Sequence, residues 1–224
     1  MPQFRKDRLE NNHYYHIFSR SIAKFVIFND EEEFSRFAEI FNLYKYINFD
    51  HQYSKFVRLD PILQSQIIKN LTTDKEVLVE VIAYCIMPTH VHFILKQVID
   101  KGISRFMSKI LNCYTRYFNI KHKRVGPLWS SRFKSVLIEN DEQLLHLTRY
   151  IHLNPTSAGL VKNPADWASS SYTEYVDPLS EKLSIYQSLI SMSPKEYKKF
   201  VLNHKDYQKE ISKIKKITID DYTG

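Results

Sequence analysis

Aromatic and β-branched residues crowd the stretch HYYHIFSRSI at positions 13–22, so the first predicted element is a strand. The period then changes. Asn29 or Asp30 is placed to cap a helix whose first turn carries Glu31, Glu32 and Glu33, and Phe34, Phe37, Ala38, Phe41 and Tyr44 recur along one helical stripe. Residues 48–75 show no sustained period, although Pro61 suits the first turn of a short helix in PILQSQIIKNL. Residues 76–88 read as a long apolar strand, and a turn at Met87-Pro88-Thr89 sends the chain into HVHFILKQV as its hairpin partner. Helical spacing returns at Ile103, Phe106, Met107, Ile110, Leu111, Tyr114, Tyr117 and Phe118, with Arg105, Lys109, Asn112, Arg116 and Asn119 on the opposite side. After a turn, alternation predicts a strand with Ser130, Arg132 and Lys134 on one face and Trp129, Ser131, Phe133 and Leu137 on the other. Asp141 is the expected cap of a last helix, EQLLHLTRYIHLN, stopped by Asn154-Pro155.

Strand, helix, strand, strand, helix, strand is the order of a ferredoxin-like α+β sandwich with an antiparallel sheet, here followed by an added helix. Beyond it, Ser193 and Glu196 form a capping box around Pro194, and residues 205–217 are a basic, weakly amphipathic end that serves either as a solvated helix or as an electrostatic arm. The expected division is a domain over residues 1–176 and a helical, basic C-terminal extension over 177–224. With 43% apolar and 25% charged residues in 224, the chain has enough apolar surface to fold as one compact unit, which excludes global disorder. Its net charge of +7 favours a polyanionic partner. Cys85 and Cys113 are too few for a disulfide framework or a zinc knuckle. The N-terminus lacks a continuous apolar run, and nowhere do eighteen apolar residues follow one another, so a cytoplasmic location without membrane contact is expected.

Chemistry enters through YCIMPTHVHFIL. His90 and His92 sit two apart in a strand and so project on one face, close enough for both imidazoles to reach one ion; the same spacing also suits a buried structural pair. The last helix offers Tyr150 and Asn154, four apart and therefore on one stripe, with His146 a turn earlier. Facing the histidines, a phenol and an amide would set a nucleophile and an oxygen ligand beside a cation, an arrangement suited to covalent attack on a phosphodiester. Tyr84, Tyr114 and Tyr117 read instead as core, His152 as structural, and His13 and His16 as strand-surface residues.

YCIMPTHVHFIL, YTRYFN, GPLWSSRFKSVLI and LTRYIHLNPTSAGLV, in this order, resemble the single-tyrosine HUH transposases of the IS200-like family, most of all their REP-associated tyrosine branch. The resemblance covers residues 13–176, while 48–75 and the tail match poorly. It implies that His90 and His92 bind a divalent metal, Mg²⁺ or Mn²⁺, that Asn154 completes the metal site, and that Tyr150 is the nucleophile forming a 5'-phosphotyrosine link. It implies an enzyme, a metal-dependent single-stranded DNA endonuclease and strand transferase acting near DNA hairpins, either in cis or as a homodimer in which a tyrosine helix serves the partner's histidines.

DNA contact is expected from Arg105, Lys109 and Arg116 on the helix, Lys121, Lys123 and Arg124 beyond it, and Arg132 and Lys134 on the strand, together bracketing the site. A non-catalytic ferredoxin-like module that binds RNA or single-stranded DNA is the alternative, since the same fold carries both. The His-x-His and Tyr-x-x-x-Asn pairing, which binding alone does not need, separates the two.

Overall fold

The computed structural model describes residues 8–203. In chain order the elements are β1 (Tyr14–Arg20), α1 (Glu31–Tyr44), α2 (Tyr53–Phe56), α3 (Pro61–Asp74), β2 (Val79–Met87), β3 (His90–Gln97), α4 (Gly102–Lys121), β4 (Lys134–Leu137), α5 (Asp141–Ser157), α6 (Tyr172–Val176) and α7 (Pro194–Leu202). The strands form one antiparallel sheet in the order β2-β3-β1-β4. With α2 and α3 set aside as an insertion, this is the expected ferredoxin-like arrangement. The basic end at 205–217 lies outside the described residues.

Each face of the sheet is covered. Odd-numbered β1 and β3 residues such as Ile17 and Phe93 meet α1 and α4 in one core, with Phe37, Phe41, Phe106 and Tyr114. Ile94, on the other face, joins a second core with Leu147 and Ile151 of α5. β2 serves both cores through a register shift between Val81 and Ala83. The extra residue reverses the alternation, so Val81 faces α1 and α4 whereas Ala83, Cys85 and Met87 face α5. The hydroxyl of Tyr175 donates to the Ile82 carbonyl at this bulge (2.6 Å).

Local chemistry sets the helix ends. The Asp30 carboxylate accepts from the Glu33 amide (2.9 Å), and Ser193 and Glu196 form the expected capping box of α7. Three expectations are corrected. The cap of α5 is Asn140, whose side chain accepts from the Gln143 amide (2.9 Å), and not Asp141. Asn154-Pro155 does not stop α5: the helix runs to Ser157, because Ala158 still donates to the Asn154 carbonyl (2.9 Å) and Gly159 takes the left-handed turn at φ 71°. The last strand is shorter than its alternation suggested. Phe18 pairs with Lys134 and Ser21 bridges to Trp129, so residues 130–133 face only Ser19 and Arg20 and must leave the ladder. Arg132 therefore lies in a bend, not on the strand.

Residues beyond Val176 share the second core. Tyr186, Ile190, Tyr197 and Val201 are buried there, Tyr186 stacks on Tyr175 (3.6 Å between ring centroids), and Ile185 donates to the Val81 carbonyl (2.8 Å). The division expected at residue 176 crosses this packed layer.

Gly102 opens α4 where the backbone passes against β2. A Cβ added there would stand 2.2 Å from the Leu78 carbonyl oxygen, a backbone atom that cannot rotate away. Gly102→Ala is expected to destabilise the fold by about 1–3 kcal/mol in urea unfolding, as overpacked sites do. An unchanged midpoint would show that the strand end yields freely.

Candidate active site

The sheet face beneath α5 carries the polar cluster. Register alone assembles part of it: β1 places Phe18 opposite His92 and Arg20 opposite His90, and β4 places Lys134 opposite Phe18. Lys134, Phe18 and His92 thus form one lateral row. His90 opens β3 directly after the two-residue turn, which is tied down because the Pro88 carbonyl accepts from Ile27 (2.8 Å) and the Thr89 carbonyl from Ser21 (2.8 Å).

Both histidines are oriented through Nδ1. The Thr89 hydroxyl lies 2.9 Å from His90 Nδ1, and His16 Nε2 lies 3.0 Å from His92 Nδ1. If His92 carries its proton on Nδ1, it donates to His16, and its Nε2 lone pair accepts from the Asn154 side-chain nitrogen Nδ2, 3.2 Å away. The Tyr150 ring sits edge-on to His92 (5.9 Å between centroids, 88°) and to His16 (6.4 Å, 79°). His90, His92, Tyr150 and Asn154, expected to meet, are brought together within one chain.

His16 corrects an expectation. It is fully buried, not a strand-surface residue, because β1 lies inside the sheet and its even positions are roofed by α5. Arg20 is the other residue that sequence reasoning missed. Both follow from aligning β1 against β3, which no single-strand period reveals.

Burial is the main cause holding His90 down to about 4, with the positive charge of Arg20 adding to it; burial, then His90, His16 and Arg20, push His92 well below the ordinary imidazole range. Both rings are therefore neutral at pH 7, as metal ligands must be. No cluster of three or more His, Cys, Asp or Glu suited to a metal exists among the described residues, and the side-chain amide of Asn154 is the further polar group beside His92. Two neutral imidazoles and an amide oxygen fit a divalent cation.

The remaining histidines and tyrosines have other employment. His152 is fully buried, its ring nitrogens 2.8 Å from Tyr197 Oη and 2.8 Å from Ser171 Oγ. His146 packs its ring against Phe200 (5.7 Å) and lies 3.8 Å from Glu142. Tyr114 and Tyr84 are core residues whose hydroxyls donate to the Ile27 carbonyl (2.5 Å) and to Glu174 (2.9 Å), and burial raises both phenols. Trp129 and Phe133 pack in the first core.

The basic residues expected to bracket the site divide between two faces. Lys134 shares the histidine face. Arg105, Lys109, Arg116 and Lys121 belong to α4, which packs on the opposite face, so they do not border Tyr150. Lys121 is held by Asp30 (2.9 Å), Glu32 (3.1 Å) and Glu33 (3.3 Å). Arg124 donates to Asn119 (3.0 Å) and to the Pro127 carbonyl (2.9 Å), while Lys123 and Arg132 are exposed in the α4–β4 connection. No helix among the described residues is long and apolar enough to cross a membrane.

Comparison with known proteins bears on this geometry. Residues 10–154 match the family described as transposase IS200-like. A REP-associated tyrosine transposase of Haemophilus influenzae is 28% identical over 105 residues, covering 42% of this chain and 58% of the relative. One from Escherichia coli K12 is 29% identical over 96 residues, covering 42% and 54%. The matched segment thus spans just over half of these curated relatives. Among solved structures, a REP-associated tyrosine transposase bound to a REP hairpin superposes with a TM-score of 0.51 at 17% identity, over 87% of this chain and 96% of that one, a likeness of fold.

Neutral burial makes stability depend on pH in one direction. An imidazole that protonates near 6.5 when unfolded but at about 4 when folded contributes its full stability above 6.5 and loses it as pH falls toward 4. Urea unfolding of the metal-free chain is expected to lose up to about 1.4 kcal/mol per pH unit for each such histidine across that window. Ring ¹⁵N shifts of His90 that titrate near 6.5 would refute the buried, neutral assignment.

Proposed function

Because the chain belongs to the IS200-like transposase family, we propose that it is a single-stranded DNA endonuclease and strand transferase that depends on a divalent metal and works through Tyr150. One observation carries the reading: Tyr150 and Asn154, one turn apart on α5, face His92, with the Asn154 amide 3.2 Å from His92 Nε2. A protein that only bound nucleic acid would have no use for a buried phenol and amide aimed at two neutral imidazoles.

His90, His92 and Asn154 would hold Mg²⁺ or Mn²⁺. Such a cation supplies Lewis-acid stabilisation of negative charge on the phosphate and its leaving oxygen. Tyr150 presents the nucleophile. Its oxygen forms a bond to phosphorus as the bond to the 3'-oxygen breaks, leaving the 5'-phosphate on the enzyme and a free 3'-hydroxyl. That ester retains the energy of the cleaved bond, so a 3'-hydroxyl can reverse the step on the same or another strand without a nucleotide cofactor. A phenol with an ordinary pKa of about 10 reacts poorly at neutral pH unless its developing charge is met by a positive one.

His16 acts through His92. By accepting from Nδ1–H it selects the tautomer that leaves Nε2 available and fixes the ring plane. Arg20 beside His90, and Lys134 in the His92 row, are the cations placed to meet the DNA backbone on this face. We further propose hairpin-bearing DNA as substrate, as in the hairpin-bound relative. That His92, Tyr150 and Asn154 meet within one chain supports a tyrosine acting in cis.

Incubation with single-stranded hairpin DNA and Mn²⁺ is expected to give a covalent protein–DNA adduct on denaturing gels, absent in Tyr150→Phe. His16→Ala is expected to weaken Mn²⁺ binding about 10- to 100-fold in calorimetry while leaving the tyrosine in place. An adduct surviving Tyr150→Phe would remove the tyrosine from its role. DNA that binds but never forms an adduct with the wild-type chain would favour a non-catalytic binding module.

A further inference from the structure

A groove of about 650 Å³ opens on the side of the molecule away from Tyr150, between α1, α4 and the inserted segment around α2. Its volume lies within the range of roughly 300–1,000 Å³ typical of small-ligand sites. The wall at residues 49–58 comes from the inserted segment between α1 and β2.

Its lining is basic and aromatic. Arg36, Arg58, Lys109, Arg116 and Lys121 contribute five cations, against Asp50 as the one carboxylate. Lys121 is already paired with the acids of α1, but the other four make no ion pair with a carboxylate among the described residues. Aromatic rings hold two of them instead. The Arg36 guanidinium lies 4.9 Å from the ring centroids of both Tyr53 and Tyr117, and the Lys109 ammonium 5.6 Å from that of Tyr44. A guanidinium fixed between two rings keeps its N–H edges for an outside acceptor. Burial, with the charge of Arg105 adding to it and that of Asp50 opposing it, holds Lys109 below the ordinary lysine range. Ile120 (78% exposed) and Val57 (38% exposed) add apolar surface.

Fixed cations, ring surfaces and apolar edges in one nucleotide-sized groove are what a single strand of nucleic acid needs: acceptors for its phosphates and flat or apolar surfaces for its bases. We propose that this groove is a second single-stranded DNA subsite, taking one or two unpaired nucleotides on the face opposite the tyrosine. The proposal rests on the reading of the chain as a DNA enzyme. It gives a use to Lys109, Arg116 and Lys121, which were first assigned to the catalytic groove and sit behind the sheet. A strand engaged on both faces has to pass around an edge of the sheet, so the two subsites together set a minimum length of DNA.

The test uses the full chain, an oligothymidylate of about twelve nucleotides carrying 5-iodouracil, and the exposed pair Arg58→Ala/Arg116→Ala, with Arg58→Lys/Arg116→Lys retaining the charge. By fluorescence anisotropy the alanine pair is expected to bind at least tenfold more weakly. Its salt slope is expected to fall by about 0.7 for each lost phosphate contact, and the lysine pair to recover most of both. Photo-crosslinks are expected on the Tyr117 peptide, lost in the alanine pair and kept in Tyr150→Phe. Alanine-pair binding equal to wild type, or crosslinks confined to the β3 and α5 face, would overturn the proposal. So would occupation by thymidine monophosphate that the oligonucleotide cannot displace. Groove crosslinks in a wild-type chain that forms no tyrosine adduct would sink the catalytic reading and leave the groove standing.

Discussion

The orientation of α5 about its own axis is the constraint on which the site depends. At about 100° per residue, Tyr150 and Asn154 share one stripe and His152 points nearly the opposite way. His152 is bonded on both ring nitrogens, to Ser171 Oγ and Tyr197 Oη at 2.8 Å each. Ser171 in turn accepts from the Tyr84 amide of β2 (2.9 Å), and the Tyr197 hydroxyl donates to Thr148 (2.9 Å). The far side of the helix is thus tied at once to the sheet and to α7. Rotating α5 would strand buried polar groups at about 1–3 kcal/mol each, so the helix keeps the one angle that turns its tyrosine toward His92. The segment after Val176, which carries Tyr197, belongs to this restraint.

The same burial that fixes geometry sets protonation. His152 is held down to about 3 by burial alone, and His90 and His92 are lowered for the same reason before any neighbouring charge is counted. His16 lies close beside His92, their ring centroids 5.2 Å and their planes 11° apart, with His16 Nε2 3.0 Å from His92 Nδ1. On the proposed function, neutral His90 and His92 would need no deprotonation before holding a cation. Thr89 and His16 hold their outer nitrogens, so little side-chain entropy remains to be lost on binding.

Elements with a strong local period were legible in the sequence. The Asp30 cap, the stripe of α1, the hairpin across Pro88-Thr89 and the pairing of His90 with His92 depend on neighbours only a few residues apart, and each is present in the structure. His16 was not legible. Whether an even-numbered residue of β1 is exposed depends on β1 lying between β3 and β4 beneath α5, contacts made across 76 residues to His92. Pro155 misled for a related reason: its missing amide argues for a helix end, but Pro155 itself is buried and the helix closes one turn later through Ala158 and Gly159, in an exposed turn. The α4 cations were identified correctly as a basic face and assigned to the wrong side of the sheet, because amphipathicity tells which side of a helix is wet but not which face of a sheet the helix covers.

That two-sidedness organises the charge of the molecule. A four-stranded sheet with helices on both faces is thick enough that cations on α4 cannot touch a phosphate lying against His92. The histidine face is left with few positive side chains, Arg20 and Lys134 among them, so on the proposed function a bound divalent ion would add to its attraction for a polyanion. The α4 face keeps an excess of positive charge in its own groove, where rings and not carboxylates hold Arg36 and Lys109 in place. On the proposed function this separation would have a kinetic consequence. Sequence-independent attraction would hold the strand on one face while the other releases and rejoins its ends, so a cleaved intermediate would not depend on the covalent tyrosine bond alone to stay with the protein.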